Sequence, residues 1–240
     1  MSQRRWPPVR STYSQWALDK PTADVVGLER SARTADFETT SFTICAFVNA
    51  SAVGSVAGSI FDNFPATGDS GRLLRVDTAT RVEAFVSTTN SLERALLNVP
   101  ATLNAWHFVW CTCDGTTLSV GMDALTPGTN TLAGTVRTAT NSAAPLLYTD
   151  VPAAGNRWLV GQMAGFAYLK AVLTDEQLQA YRRSGGALPP GLAADRVSWM
   201  PEPKAGTGVD LADASATWAQ AGAGDALVPV SGAFETRRID

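Results

Sequence analysis

Residues 106–124, WHFVWCTCDGTTLSVGMDA, constrain the fold of this 240-residue chain more than any other stretch. Apolar and aromatic residues run as far as Cys113, the polar tetrad Asp114, Gly115, Thr116 and Thr117 interrupts them, and a second alternating run follows. That is the pattern of strand, tight turn, strand. Side chains alternate faces along a strand. The first run therefore sets Trp106, Phe108 and Trp110 on one side and His107, Val109, Cys111 and Cys113 on the other, both of them nearly dry. A strand with two dry faces belongs in the middle of a sheet covered on both sides. The second run has one apolar face, Leu118, Val120 and Met122, and one small polar face, Thr117, Ser119, Gly121 and Asp123.

The rest of the chain repeats this spacing. SFTICAFVN (41–49) places Phe42, Ile44, Ala46 and Val48 on one face, and 54–64 reads as a Gly/Ser-punctuated strand ending in Asp62 and Asn63. Shorter strands are expected at 73–76, 81–87 and 92–99, then at 158–161, 163–170, 196–200 and 226–230. One strand every eight to twelve residues is the signature of an all-β sandwich. Residues 126–157 read as long loops with a weak strand or two, and 205–215 as a loop. One helix is expected at 175–183: Thr174 caps it, Gln177 completes a capping box, Gly185 and Gly186 end it, and Leu178 and Tyr181 face the sandwich.

Residues 1–22 have no periodicity. They carry Arg4, Arg5, Arg10 and Lys20 against Asp19 alone, with Pro7 and Pro8 between them, and read as an extended arm ahead of a single domain at 23–240. Trp6, Tyr13 and Trp16 are costly to leave in water, so the arm, with its arginines, is expected to dock on a protein partner.

A net charge of -3 with 17% charged residues gives no case for nucleic acid. No stretch approaches the length of a membrane span and the first residues are no signal peptide, so no membrane partner is expected. Cys45, Cys111 and Cys113 fall inside strands and read as small buried hydrophobes; a lone C-x-C lacks the second ligand pair of a zinc site.

Three runs carry a family resemblance. WHFVWCTCDGTTLSVGMDA is similar to the W-H-h-V-x-x-x-x-D-G-T-x-x-h-x-h-D-G hairpin of laminin-G-like and pentraxin-like modules in the concanavalin A-like lectin/glucanase superfamily, departing at Ala124, where glycine is usual. WLVGQMAGFAYLKAVLTDEQLQAY resembles the later glycine-led strand and h-L-[ST]-x-E-[EQ]-h helix, and SFTICAFVNAS the early strand. The resemblance spans about residues 42–181 and implies a jelly-roll sandwich of two antiparallel sheets. Similar modules occur in lectins, adhesins, glycosidases and bacteriophage virion proteins, so the fold does not choose the function.

Hydrolysis finds little support. The family's glycosidases share an E-x-D-x-x-E strand that sets two carboxylates on one face. Glu29, Glu38, Glu83, Glu93, Glu176, Glu202 and Glu235 are scattered, none with an aspartate two residues on. The only histidine, His107, lies within a buried-looking strand and reads as packing rather than as a triad base. No cofactor is required, although similar modules hold calcium at the sandwich rim, for which Asp62, Asn63 and Asp69 could supply hard oxygens. Trp158, Trp199 and Trp218 are the candidate sugar-stacking residues.

The sequence thus gives two expectations. The first is a non-enzymatic virion protein of capsid-decoration or fibre type, a homo-oligomer whose arm docks on capsid or tail subunits. The alternative is a lectin-like module for a cell-surface glycan, including host glycans; a glycoside hydrolase ranks third.

Overall fold

The computed structural model describes residues 16–20, 27–30, 37, 39–53, 57–64, 71–77, 81–138, 146–147, 158–188, 191–192, 195–200, 203–204, 207–209, 217–221 and 228–231. Its strands are β1 (Trp16–Lys20), β2 (Gly27–Arg30), β3 (Phe42–Val53), β4 (Gly58–Asp62), β5 (Arg72–Asp77), β6 (Arg81–Ser87), β7 (Leu92–Leu97), β8 (His107–Cys113) and β9 (Thr117–Met122). They continue with β10 (Gly128–Thr131), β11 (Leu146–Leu147), β12 (Leu159–Leu169), β13 (Arg196–Met200), β14 (Pro203–Lys204), β15 (Thr207–Val209), β16 (Thr217–Ala221) and β17 (Val228–Ser231). The helix α1 (Asp175–Arg183) follows β12.

These strands form two antiparallel sheets. The first has the order β10-β9-β8-β3-β12-β1-β17, with β13 also on β12; the second runs β14-β15-β16-β2-β11-β4-β5-β6-β7. The fold is the expected concanavalin A-like sandwich, mostly β with one short helix. The inner faces of the sheets meet in one core, where Phe37, Phe42, Phe61, Phe166 and Tyr168 make ring contacts at centroid distances of 4.8–6.1 Å. Tyr168 keeps its hydroxyl satisfied there by donating to the Phe37 carbonyl at 3.0 Å.

The strands at the centre of the first sheet are buried on both faces, as the aromatic density of 106–113 requires. Val109, Cys111 and Cys113 of β8 enter the core between the sheets, whereas Phe108 and Trp110 pack with Cys45, Phe47, Ala164, Ala167 and Leu169 on the outer face. The helix covers that outer face with Leu178 and Tyr181. Its start is the expected capping box: Gln177 N–H donates to Thr174 Oγ1 at 3.3 Å and Thr174 N–H to Gln177 Oε1 at 2.9 Å. Gly185 (φ 69°) and Gly186 (φ 103°) lie in the left-handed region that ends a helix without strain. Tyr181 closes the contact by donating to the Gly165 carbonyl at 2.7 Å. The cysteines are buried thiols, and burial pushes Cys45 and Cys111 well above the ordinary thiol range.

Two expectations need correction. Residues 16–20 are not part of an arm: as β1 they sit inside the first sheet, with Leu18 opposite Met163 of β12 and Pro229 of β17. WALDK has no period-two alternation, so its strand character comes from the two neighbours that flank it rather than from its own pattern. Likewise 207–209, read as loop, is β15, paired between β14 and β16. Residues 1–15 lie outside the described residues. Among those described, no helix is long and apolar enough to cross a membrane.

The close fit of the outer face gives a test. A Cβ added at Gly121 of β9 would lie 2.2 Å from Cζ2 and 2.3 Å from Cε2 of Trp110, a buried member of the outer-face cluster that also contains Leu178 and Tyr181 of α1. Gly121→Ala should lower the unfolding free energy by about 1–3 kcal/mol through overpacking, read as a lower urea midpoint.

Candidate functional site

The histidine comes first, because a Ser-His-Asp hydrolase would have to use it. His107 opens β8 instead of lying mid-strand, and its half-buried ring bridges two loops. Nε2 accepts the Thr102 N–H at 3.0 Å, which leaves Nδ1 protonated and donating to Asp123 Oδ2 at 2.8 Å. Asp123 is held at φ 55° just beyond β9; its Oδ1 accepts the Phe108 N–H at 3.0 Å, and its carbonyl accepts from Gln179 of α1 at 2.9 Å. Burial alone would raise the Asp123 pKa, but the His107 and Phe108 hydrogen bonds and the Arg182 charge outweigh it and hold the carboxyl below its ordinary value. The pair is a latch joining β8, β9 and α1. Both ring nitrogens are engaged by the protein itself.

A different constellation lies on the outer face of the second sheet. Residues directly opposite in an antiparallel pair share a face, so the register assembles rows across four strands. One row is Ser59, Arg75, Glu83 and Leu96; the next is Asp62, Leu73, Phe85 and Arg94. Asp77 and Arg81 face each other beside the first row, and Ser87 and Leu92 beside the second. Glu83 has no exposed side-chain surface and is ringed by guanidinium groups: Arg75 at 2.7 Å, Arg81 at 3.2 Å and Arg94 at 3.4 Å. Arg81 also pairs with Asp77 at 2.5 Å. Arg75 and Arg94 lie over the Phe85 ring, 4.7 and 5.9 Å from its centroid, in cation–π geometry.

The carboxylates of this face are thus covered, while cations reach its surface. The Arg94 side chain is 44% exposed and that of Arg81 35%, against 8% for Asp77. On the same face the buried hydroxyls of Ser59 and Ser87 have no hydrogen-bond partner. An unpaired buried polar group is uncommon and costs about 1–3 kcal/mol. The arrangement presents the Arg81 and Arg94 donors beside apolar Phe85, Leu96 and exposed Leu92, while the Ser59 and Ser87 hydroxyls stay buried.

The residues singled out from the sequence lie on several elements. Trp158 is half-buried just before β12; Trp199 stands opposite Ala167 in the first sheet, and Trp218 opposite Gly208 in the second. Asp62 and Asn63 are buried, Asp62 Oδ1 accepting the Phe64 N–H at 2.7 Å and Asn63 Oδ1 the Arg72 N–H at 2.6 Å, so both brace the β4–β5 connection. Asp69, Arg4, Arg5, Trp6, Arg10 and Tyr13 lie outside the described residues, and Trp16 opens β1. Among the described residues no three His, Cys, Asp or Glu gather to hold a metal.

Arg75, Glu83 and Arg94 escaped the sequence reading because the register of β5, β6 and β7, not residue type, brings them together. A signal was nevertheless present: Arg75 and Asp77 in RLLRVD, and Arg81 and Glu83 in RVEAFVS, stand at alternate positions, and antiparallel pairing of the two strands brings Arg75 against Glu83 and Asp77 against Arg81.

A laminin G family profile, described as the concanavalin A-like lectin/glucanases superfamily, matches residues 27–179. The chain belongs to this superfamily. The superfamily match contains every residue of the arginine-rich face. No curated protein matches the sequence. Among solved structures, a candidate carbohydrate-binding protein from Bacteroides ovatus superposes with a TM-score of 0.66 at 14% identity, over 91% of this chain and 60% of that one. The chain therefore spans less than two thirds of that protein. The CBM40 module of the Ruminococcus gnavus IT-sialidase, bound to α2,3-sialyllactose, gives 0.56 at 12% identity over 68% and 95%. Domains LG4-5 of the mouse laminin α1 chain give 0.50 at 9% identity over 64% and 40%. At such identities the likeness establishes the sandwich and nothing finer.

Two substitutions check this description. Asp123 contributes stability above its ordinary pKa of 3.8, and that contribution is lost as pH falls through its lower folded value. Asp123→Asn should thus cost about 1–2 kcal/mol at pH 7, and urea titrations should show the gap to wild type closing as pH drops below 3.8. Ser59→Ala removes an unpaired hydroxyl and should raise stability by up to about 1 kcal/mol, seen as a higher Tm.

Proposed function

We propose that the chain is a carbohydrate-binding module whose ligand lies on the outer face of β4–β7. The observation that carries this reading is Arg94: exposed, resting on Phe85, and held by a single long hydrogen bond to buried Glu83. Its remaining N–H groups are pre-aimed donors, and preorganised donors beside apolar surface are what a sugar, with hydroxyls around a C–H face, requires. The CBM40 module bound to sialyllactose and the candidate carbohydrate-binding protein from Bacteroides, both sharing the fold, support the same class.

Binding without chemistry fits the groups present. Each carboxylate of the face is engaged by arginine or by backbone N–H, and His107 is fully engaged elsewhere. The virion reading drew on an arm at 1–22, of which 16–20 is built into the first sheet, and it has less to stand on than the glycan reading.

A glycan array probed with the whole chain, once in calcium and once in chelator, tests the proposal. Binding to a defined subset of glycans is expected, and the two conditions separate a metal-dependent mode from a metal-free one. A blank array in both conditions would sink the carbohydrate reading.

A further inference from the structure

The charges on the β4–β7 face are sorted by depth. Asp62, Asp77 and Glu83 are buried, and their oxygens are already held by the Phe64 amide, by Arg81, and by Arg75 with Arg81 and Arg94. The guanidinium groups of Arg81 and Arg94 instead extend to the surface on either side of Glu83. A molecule arriving from solvent meets cations first, although the face contains as many carboxylates as arginines. Arg94 has only its 3.4 Å bond to Glu83, so most of its donors remain for a ligand. The Phe85 ring beneath it restricts its rotamers and reduces the entropy lost on binding.

A planar guanidinium fork matches a carboxylate or sulfate in a way that a single hydroxyl does not. We infer that the ligand of this face is an anionic glycan, one bearing carboxylate or sulfate groups that pair with Arg94 and Arg81. This inference rests on the carbohydrate reading and narrows its substrate class.

The experiment is titration calorimetry of the full chain against three polysaccharides of matched length: a polyuronate, a sulfated dextran and neutral dextran. At least one anionic polymer should bind, at least tenfold tighter than neutral dextran and more weakly as salt rises. The two anionic arms distinguish carboxylate from sulfate. Arg94→Ala should weaken anionic binding at least tenfold with Tm unchanged, while Arg183→Ala, which removes an exposed arginine on α1, should leave affinity as it was. Equal or tighter binding of neutral dextran, or an Arg94→Ala affinity equal to wild type, overturns the anionic inference and leaves the carbohydrate reading standing. An equal loss from Arg183→Ala reduces the interaction to net charge and also overturns the inference. No heat with any of the three polymers, together with a blank array, removes both.

Discussion

The constraint on which the molecule depends is that β3, β8 and β12 are apolar on both faces. A sheet with one dry face needs one cover; this one needs two. The second sheet supplies the inner cover through an aromatic core around Tyr168, and α1 supplies the outer one through Leu178 and Tyr181. The capping box at Thr174 and the hydrogen bond from Gln179 to the Asp123 carbonyl fix where the helix lies. His107 and Asp123 thereby acquire a structural purpose, since they tie the hairpin to its cover. The residue that looked most like a catalytic base is a fastening of the scaffold.

The helix occupies the outer face of the first sheet, and the arginine cluster lies on the outer face of the second. Its centre is polar in an ordered way. Glu83 draws three arginines together, Phe85 orients two of them, and the exposed ends of Arg81 and Arg94 project outward. Leaving one of these groups unpaired would be expensive, since a buried carboxylate without partners costs several kcal/mol. The cluster is therefore stiff before any ligand arrives, which is how affinity is gained with few contacts.

The sequence disclosed what depends on neighbours close along the chain. The 106–124 hairpin follows from alternation and from a turn in which Asp114 Oδ1 accepts from Thr116 and Thr117. The helix ends at glycines for equally local reasons. What stayed hidden depends on partners far away: β1 is a strand because β12 and β17 flank it, and β15 because β14 and β16 do. The tryptophans attracted notice for their chemistry, yet they are distributed over both sheets. Register, not residue type, makes the arginine face.

That face has one further consequence. All its arginines, with Glu83 and Phe85, are carried by residues 72–97, three successive strands at one edge of the second sheet. The inward side of these strands belongs to the common core, but the outward side answers only to its own neighbours. A lineage can rewrite alternate letters of a single short run of sequence and acquire a new recognition chemistry, while the hairpin, the helix and the packing between the sheets inherit no change at all.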